Sequence, residues 1–479
     1  MPADPEALPR LTRSGPAPRP GIVHLGLGAF FRAHGAVYLD DALSVSGGDW
    51  GIIGISLRSP GTRDALLPQG GVYTAVARHP EGAIPRLVNS VVDVRVAPED
   101  PEAVLAVMSD PAIRIVTLTV TEKGYCHAPS TGRLNLDHPD IRYDLGSRLP
   151  ISAPGVLVRA LERRWQAGLA PFTVLSCDNL PENGRIVRGV VLDLARAIDP
   201  DLADWIADEG RFPSSMVDRI VPATRPEDIA ALAKATGRHD AAPVIREPFR
   251  QWVIEDDFVE DARPDLAAVG VQMVADVTPF EHMKLRMLNG THSALAYLGY
   301  LAGHQTIADT MGDPVFRTYV QALWQDEIQP ALSPPPGQDL TAYARALQAR
   351  YTNPAIRHRT WQIAMDGSQK LPQRILATLA ENRTAGRACP GLILAVAGWM
   401  RYVGGVDEAG QPIDVRDPLA AQFAAISGAA TSPAETVAGL LALREVFNPG
   451  LAASIAPELT QVYDGLIRLG ARKAIAALA

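Results

Sequence analysis

The hydrophobic pattern of the chain changes after an irregular opening stretch. Residues 1–20 are interrupted by prolines and contain acidic residues, which predicts a flexible N-terminal arm. From residue 21 onward, short continuous apolar runs alternate with amphipathic stretches. Such runs are typical of strands buried on both faces of a parallel sheet. The strand candidates are GIVHL, WGIIGISL, IRIVTLTVT and FTVLSC, and the clearest helix between them is Pro154–Gly168.

A second change occurs near residue 278, where strand patterns give way to alanine- and leucine-rich helical periodicity. An α/β domain is therefore predicted over 21–278, and a mainly α-helical domain over 279–479. Clefts between two domains are frequent sites for small molecules. The predicted helices of the second domain include Met283–Ala302, Val315–Leu332 and Leu340–Tyr351.

A glycine turn follows the first predicted strand in GIVHLGLGAFFRAH (residues 21–34). Gly26 and Gly28 match the first two glycines of a dinucleotide fingerprint: one permits a tight turn, and the other lets the backbone approach a pyrophosphate. Phe31 stands where the third glycine would fall and is itself a candidate cofactor contact, although this departure makes the motif alone weak. Its position between a strand and a helix favours nucleotide binding, with Arg32 as a candidate phosphate contact.

The residue that reads the adenosine ribose is less clear. An acid at the end of the second strand usually binds the ribose 2′-hydroxyl. Here Arg58 and Ser59 occupy that neighbourhood, and Asp64 follows later. Because an arginine in this place can accommodate a 2′-phosphate, the residues themselves leave both NAD and NADP open.

The stretch FEHMKLRMLNGTHS (residues 280–293) places three polar side chains among apolar ones. On an α-helix, Lys284, Asn289 and His292 span an arc of roughly 140°, so they can line one wall of a cleft. A surface lysine and a core histidine are the alternative interpretation of these residues taken singly. Together they offer what alcohol oxidation requires, namely a base and two groups that hold the reacting oxygen.

Polar residues also follow two predicted strands of the first domain. Glu122 comes after IRIVTLTVT, and Asp178 and Asn179 come after FTVLSC. The carboxyl ends of parallel strands form the edge at which open α/β sheets bind ligands. These residues are therefore site candidates, with turn formation and helix capping as the alternative.

The run NPAIRHRTWQIAMDGSQKLPQR (residues 353–374) is rich in basic residues. A solvated basic surface is the simplest interpretation. The alternative is a carboxylate-binding cluster, because arginine binds carboxylates through two hydrogen bonds and lysine acts as a point charge. The basic residues of this run are Arg357, His358, Arg359, Lys370 and Arg374.

Composition narrows the class of partner. The formal net charge of −8 argues against nucleic acid and anionic membranes, and the apolar runs are too short to span a bilayer. Three separated cysteines form neither a disulfide framework nor a zinc motif, which favours a cytoplasmic protein without a metal. We expect a small-molecule substrate and a monomer or small homo-oligomer.

Several blocks occur in order between Gly21 and the C-terminus: GLGAFFRAH, TEKGY, SCDN, MVDRI, EPFRQWVIED, KLRMLNGTHS and DGSQKLP. Together they resemble the long-chain mannitol dehydrogenase family, whose members are metal-independent, nicotinamide-dependent dehydrogenases of polyols and sugar acids. The resemblance implies a Rossmann-type N-terminal domain and a helical C-terminal domain. It also implies NAD as cofactor, with NADP not excluded.

The resemblance further implies a role for individual residues. Lys284 matches the general base of the family, and Asn289 and His292 match residues that position the substrate oxygen. Asn179 is implied in oxyanion stabilisation and Glu122 in proton movement. Other matches lie in the active cleft or bind substrate: Asp178, Asp218 and Lys370.

One departure from the family pattern bears on the substrate. Gln362 stands where mannitol dehydrogenases carry an arginine, and the surrounding basic residues suit a sugar acid. The resulting hypothesis is NAD-dependent interconversion of D-fructuronate and D-mannonate, with Lys284 as general acid and base. The alternatives are a mannitol 2-dehydrogenase or another polyol dehydrogenase, and a nucleotide-binding protein without turnover.

Overall fold

The computed structural model describes residues 7–128 and 132–478. Two compact units divide the chain, with Thr278 the last residue of the first and Pro279 the first residue of the second. Across the described ranges, no helix combines the length and the apolar content that a membrane span requires. All three cysteines are free thiols.

The first unit contains a five-stranded sheet in which every neighbouring pair of strands is parallel. Two three-stranded sheets accompany it. The strands are β1 (Pro20–Leu25), β2 (Gly51–Ser56), β3 (Tyr73–His79), β4 (Gly82–Val88), β5 (Val91–Val96), β6 (Ile115–Leu118), β7 (Thr173–Ser176), β8 (Ser215–Asp218), β9 (Val244–Arg246), β10 (Gln251–Glu255) and β11 (Gln272–Val274). The order in the large sheet is β5-β2-β1-β6-β7, and this sheet confirms the predicted α/β class.

Helices cover both faces of the large sheet, which explains why β1, β2, β6 and β7 are largely apolar, whereas the edge strand β5 contains Asp93 and Arg95. On β1, Val23 and Leu25 belong to one core cluster together with Leu157, whereas Ile22 belongs to another together with Val37. The helices of this unit are α1 (Ala29–Ala33), α2 (Gly35–Ser46), α3 (Gly61–Leu66), α4 (Pro101–Met108), α5 (Pro139–Gly146), α6 (Ala153–Gln166), α7 (Asn183–Ile198), α8 (Pro200–Glu209) and α9 (Pro226–Thr236).

The strand order places the ligand-binding edge of the large sheet. From β1 the chain moves to β2 on one side, and it later returns to β6 on the other side. Such a reversal opens a crevice outside the carboxyl ends of the two central strands. The residues that follow β1 and β6 therefore share one edge, and those that follow β7 lie next to them.

Part of the stretch predicted as a flexible arm makes specific contacts. The Arg13 guanidinium donates to the carbonyls of Gly70 at 2.8 Å, Asn89 at 2.9 Å and Val91 at 2.5 Å. The Leu11 N–H donates to the His239 carbonyl at 2.8 Å. These contacts hold residues 11–13 against the first unit, so the interpretation as a flexible arm does not apply to them.

The second unit is helical, as predicted, but three of its helices contain π-helical segments. Residues Lys284–Gly290, Leu323–Ile328 and Pro372–Leu376 adopt this wider turn, and the first segment packs against the other two. The α-helices are α10 (Thr278–Met283), α11 (Thr291–Leu301), α12 (Ile307–Gly312), α13 (Pro314–Ala322), α14 (Leu340–Tyr351), α15 (Thr360–Ala364), α16 (Gly367–Leu371), α17 (Ala377–Thr384), α18 (Pro390–Val403), α19 (Ala420–Ala429), α20 (Pro433–Leu441), α21 (Pro449–Leu469) and α22 (Ala471–Ala476).

A buried carboxylate caps one of these helices. Glu327 is 7% exposed and accepts the backbone N–H groups of Gly391 at 2.7 Å and Leu392 at 2.8 Å, in the first turn of α18. Burial raises the pKa of Glu327 from 4.5 to about 7 in spite of these two hydrogen bonds. The folded chain therefore binds this proton more tightly than the unfolded chain does.

The contribution of Glu327 to the free energy of unfolding should depend on pH. Because its pKa is raised on folding from 4.5 to about 7, the contribution is complete below pH 4.5 and is lost as the pH rises through about 7. The expected change is on the order of 3 kcal/mol. Urea unfolding of the wild type and Glu327→Gln at acidic and alkaline pH measures it, and the wild type should lose its relative advantage at alkaline pH. A stability difference that is independent of pH would contradict the raised pKa.

Candidate active site

The turn after β1 requires glycine at its first position. Gly26 has a φ of +88°, and a Cβ there would lie 2.2 Å from the Thr119 carbonyl oxygen. Gly28 has an ordinary extended backbone, and a Cβ on it would meet only the Gly26 carbonyl oxygen, at 3.7 Å. The first glycine is therefore needed for the turn itself. The second leaves open space beside the backbone, which is what a closely approaching pyrophosphate needs.

His24 supports this turn, and sequence reasoning gave it no role. Its imidazole is buried, with Nδ1 2.8 Å from Thr117 Oγ1 and Nε2 2.9 Å from Thr119 Oγ1. Burial lowers the pKa of His24 to about 3, so the ring is neutral near neutral pH. The Phe31 ring stacks on it at a centroid distance of 3.4 Å. The aromatic ring at position 31, where the fingerprint has its third glycine, is thus part of the packing around His24.

Two residues predicted to bind the cofactor are engaged elsewhere. Phe31 is 1% exposed and serves the core, so it offers no surface to a ligand. The Arg32 guanidinium donates to the Ala242 carbonyl at 2.6 Å and lies 5.4 Å from the centre of the Tyr73 ring. The side chains of both residues thus make packing contacts within the first unit, and their assignment to the cofactor stays a prediction.

Arg58 lies where a ribose-reading residue is expected. It is exposed just beyond the carboxyl end of β2. Asp64, the later acid, belongs to α3 and pairs with Arg63 at 2.8 Å. The neighbourhood of β2 therefore presents an arginine to solvent, and the nearest acid is already paired.

Asp178 fastens the loop that carries Glu122. Its carboxylate accepts the N–H groups of Val120 at 2.9 Å and Thr121 at 3.0 Å, and the Tyr125 hydroxyl at 2.7 Å. Burial raises the pKa of Asp178. The carboxylate oxygens are used to hold this loop, so a loop-positioning role fits Asp178 better than the predicted substrate contact.

Glu122 and Asn179 are brought to the same sheet edge. Both are exposed, Glu122 at the start of the 3₁₀ turn after β6 and Asn179 directly after β7. Asn183, which the sequence did not single out, donates to the carbonyls of Asp178 at 3.0 Å and Ser215 at 2.8 Å. The structure thus places Glu122 and Asn179 as expected and supplies an amide that secures the segment of Asn179.

Asp218 occupies a different position from the other predicted residues of this unit. It ends β8, which belongs to a three-stranded sheet and not to the large parallel one. Its side chain is buried, and its backbone lies opposite Gln251 of β10. Its assignment to the active cleft remains a prediction from family resemblance.

One group of metal-type ligands exists in the described part of the chain. One ligand atom each of Cys126, His138 and Asp140 lies within 4.8 Å of the other two. His138 Nδ1 accepts the Asp140 N–H at 3.2 Å and thereby caps α5, and burial raises the pKa of the Cys126 thiol to about 11. An imidazole engaged as a helix cap beside a protonated thiol is a structural arrangement.

In the second unit, a π-helical segment changes how Lys284 and Asn289 are related. The sequence predicted a continuous α-helix, in which five residues advance one turn plus roughly 140°. Residues Lys284–Gly290 instead form a π-helix, whose i→i+5 hydrogen bonds place residue i+5 one turn above residue i. The wider turn makes the angle between the Lys284 and Asn289 side chains smaller than it would be in an α-helix, so both lie nearer to one face of the helix. Lys284 is buried, with 8% of its surface exposed.

Asn289 and His292 carry buried polar atoms that have no hydrogen-bond partner in the described chain. These atoms are the amide Oδ1 of Asn289 and the imidazole Nε2 of His292. Burial lowers the pKa of His292 well below its usual value, and His358, Arg374, Arg350 and Lys370 lower it further. A neutral imidazole and an amide with unused hydrogen-bonding capacity suit the recognition of a polar ligand.

Basic side chains surround His292, and only some of them were predicted. Arg374 donates to Ser293 Oγ at 3.2 Å, and Lys370 donates to the Met365 carbonyl at 2.5 Å. Arg359 occupies the N-cap position of α15 without a side-chain capping hydrogen bond and is exposed, and its assignment to substrate binding stays a prediction. Of two further members, His358 was named only as part of the basic run, and Arg350 was not singled out in the sequence.

His358 and Arg350 differ in how readily the sequence could have revealed them. The His358 ring lies edge-on to that of His292 at 4.7 Å, and burial lowers its pKa to about 4. His358 belongs to the basic run of residues 353–374, and the many basic residues of that run were a signal that could have identified it. Arg350 is buried at the end of α14, before that run begins, and a lone arginine in a helical pattern gives no such signal.

The fold and these residues define a Rossmann-fold oxidoreductase with a separate helical unit. Residues 20–268 match the family model described as the mannitol dehydrogenase Rossmann domain, and residues 276–467 match the mannitol dehydrogenase C-terminal domain. The chain belongs to the mannitol dehydrogenase family, which confirms the resemblance found in its sequence blocks.

Individual relatives are similar along nearly the whole chain. D-mannonate oxidoreductase of Escherichia coli (strain K12) is 48% identical over 464 residues, 95% of each chain. The uncharacterized oxidoreductase YdfI of the same organism is 48% identical over 465 residues, again 95% of each. Mannitol 2-dehydrogenase of Pseudomonas fluorescens, solved as a ternary complex with NAD and D-mannitol, is 38% identical with a TM-score of 0.84, covering 96% of this chain and 94% of that one.

Proposed function

We propose that this oxidoreductase interconverts D-mannonate and D-fructuronate with NAD as the hydride carrier. The observation that carries the proposal is the set of cationic side chains near His292, namely Arg350, Lys370 and Arg374, the last of which donates to the neighbouring Ser293. Positive groups of this kind favour a substrate that bears a carboxylate, because arginine and lysine both bind carboxylates strongly. The similarity to D-mannonate oxidoreductase supports the same substrate class.

The residues of the chain are proposed to move the proton and to hold the reacting oxygen. The nicotinamide, when bound, supplies or accepts the hydride. Lys284 donates a proton to the developing alkoxide during reduction and removes it during oxidation. Asn289 and His292 position the reacting end of the substrate through polar atoms that have no partner within the described chain: Asn289 Oδ1 accepts a hydrogen bond from a substrate hydroxyl, and His292 Nε2, in its N–H tautomer, donates to the reacting oxygen. Asn179 stabilises negative charge on that oxygen, and Glu122 takes part in proton movement.

Steady-state kinetics on a panel of substrates test this proposal. D-mannonate and D-mannitol are compared in the oxidation direction with NAD, and D-fructuronate and D-fructose in the reverse direction with NADH. We expect the largest kcat/KM with the sugar acids. A much larger value with D-mannitol would replace the proposal by the second candidate, a polyol 2-dehydrogenase, which the structural similarity to mannitol 2-dehydrogenase favours.

A protein without turnover is the remaining alternative. It predicts nucleotide binding but no oxidation of any polyol or sugar acid with either cofactor. Titration of NADH, followed by its fluorescence, together with the same substrate panel separates this alternative from both enzymes. Binding without turnover across the panel would support it.

Arg58 provides a test of the cofactor. If it faces the adenosine ribose, its guanidinium favours a 2′-phosphate, so Arg58→Ala should weaken NADPH binding more than NADH binding. Fluorescence titration of both nucleotides measures the difference. Arg148→Ala, which removes another exposed arginine of the first unit, serves as the control and should change neither affinity. Equal effects of Arg58→Ala on both nucleotides would remove Arg58 from the ribose site.

A further inference from the structure

The π-helical segment at Lys284 depends on donors from distant parts of the chain. The Trp324 indole N–H donates to the Met287 carbonyl at 2.9 Å, and the Tyr351 hydroxyl donates to the Leu288 carbonyl at 2.6 Å. Both donors are 2% exposed, so water does not replace them readily. A π-helical turn departs from the i→i+4 pattern of the surrounding helix, and carbonyls at such a departure need other partners. Trp324 and Tyr351 supply them.

Thr291 joins the same network from the following α-helix. Its hydroxyl lies 3.0 Å from the Tyr351 hydroxyl, and it contacts the carbonyls of Met287 and Leu288. The carbonyls of Met287 and Leu288, both inside the π-helical segment, therefore accept hydrogen bonds from side chains, and the Leu288 carbonyl also accepts the Thr291 backbone N–H. A buried network of this kind favours one backbone arrangement over its alternatives, because an unmet buried carbonyl is costly.

The same tyrosine also orients the histidine. The Tyr351 ring stacks on the His292 ring at a centroid distance of 5.1 Å and an interplanar angle of 26°. The Trp324 ring also stacks with the Tyr351 ring, at a centroid distance of 6.1 Å and an interplanar angle of 24°. One side chain thus fixes the backbone between Lys284 and Asn289 through its hydroxyl and the His292 imidazole through its ring.

Close packing at the end of the segment prevents a simple shift. A Cβ on Gly290 would lie 2.6 Å from the Arg374 carbonyl oxygen, within the π-helical segment Pro372–Leu376. If residues Lys284–Gly290 returned to an α-helical path, five residues would again advance one turn plus roughly 140°. Asn289 would then turn away from the face that carries Lys284.

We propose that Tyr351, assisted by Trp324, is a positioning residue that keeps Lys284, Asn289 and His292 on one face. The inference rests on the proposed function, because it assigns these three residues to the reacting oxygen. Tyr351 acts through the backbone of the π-helical segment and through the His292 ring. It needs no contact with substrate. Misplacement of reacting groups by about 1 Å can cost a factor of about 10² in rate, which sets the scale of the effect.

The test compares Tyr351→Phe with Tyr319→Phe. Tyr319 is a matched control because its buried hydroxyl also donates to a backbone carbonyl, that of Gly391, at 2.8 Å. Both variants should lose a similar amount of thermal stability and keep NADH affinity. Only Tyr351→Phe should lower kcat, by about 10- to 100-fold, and displace the pH profile, with KM changing less than kcat. Equal kcat values for the two variants would overturn the inference.

Further measurements keep the outcome decisive. If Tyr351→Phe does not fold, Trp324→Phe removes the other donor, and a wild-type kcat and pH profile in that variant would overturn the inference. A crystal structure of either folded variant should show residues 284–290 moving toward α-helical hydrogen bonding, and an unchanged π-helix would contradict it. Lys284→Ala separates a failure of the proposed function from a failure of the positioning role of Tyr351. Full activity in that variant sinks the proposed role of Lys284, whereas an inactive Lys284→Ala beside a fully active Tyr351→Phe sinks the positioning role alone.

Discussion

Replacing Lys284 by alanine should lower turnover by about two to four orders of magnitude, the usual contribution of general acid–base catalysis. The variant should still fold and should still bind NADH. Folding is retained because the alanine side chain is tolerated in a helix, and nucleotide binding is retained because the glycine turn belongs to the other unit. Stopped-flow and steady-state rates with the preferred substrate, together with NADH titration, measure these outcomes.

The pH profile distinguishes a base from a merely structural lysine. Protonation of the base slows oxidation in acid, so the acidic limb should flatten in Lys284→Ala, or the rate should respond to added primary amines. Lys473→Ala removes an exposed lysine of the same unit and should behave as the wild type. Near-normal turnover with an unchanged profile in Lys284→Ala would show that Lys284 is not the base, and Glu122 would become the next candidate.

Strands with continuous apolar character were predictable from the sequence. The runs that became β1, β2, β6 and β7 are buried on both faces, and burial of both faces removes polar residues from a strand. The hairpin strand β4 escaped notice. It is largely exposed and contains Pro85, so it has neither an apolar run nor a clean alternation. Strands of this kind are defined by their partners more than by their own pattern.

The candidate site was predictable where residue type and spacing carry the chemistry. Lys284, Asn289 and His292 stood out as polar residues in an apolar stretch, and the structure keeps them in one region of the second unit. The π-helical turn was not predictable, because it depends on Trp324 and Tyr351, which lie far along the chain. Local periodicity does not contain that information.

The contacts of two side chains at the glycine turn were not predictable for a similar reason. A fingerprint position was assumed to face the cofactor, but Phe31 packs on His24 instead. Arg32 was expected to bind phosphate, but its guanidinium donates to the Ala242 carbonyl and lies over the Tyr73 ring. Both outcomes follow from residues whose proximity arises only when the sheet and its helices assemble.

The two glycines of this turn should respond differently to alanine, since one serves the fold and the other serves the ligand. In Gly26→Ala, a φ of +88° and a Cβ placed 2.2 Å from the Thr119 carbonyl oxygen are incompatible with the native turn. The free energy of unfolding should fall by roughly 2 to 4 kcal/mol, the range for strained backbone and overpacking in a core. Urea unfolding measures this loss.

Gly28→Ala should instead leave the fold intact and weaken cofactor binding. The extended backbone at Gly28 suits alanine, and the new Cβ would meet only the Gly26 carbonyl oxygen, at 3.7 Å. That open space is where the fingerprint requires the backbone to approach a pyrophosphate, so a methyl group there should raise the dissociation constant of NADH at least about tenfold, equal to about 1.4 kcal/mol. Gly189→Ala, which also places a methyl group in open space but on α7, should change neither stability nor affinity by a comparable amount. Wild-type NADH affinity in a folded Gly28→Ala would contradict pyrophosphate binding at this turn, because a methyl group at Gly28 would occupy the space that the pyrophosphate needs.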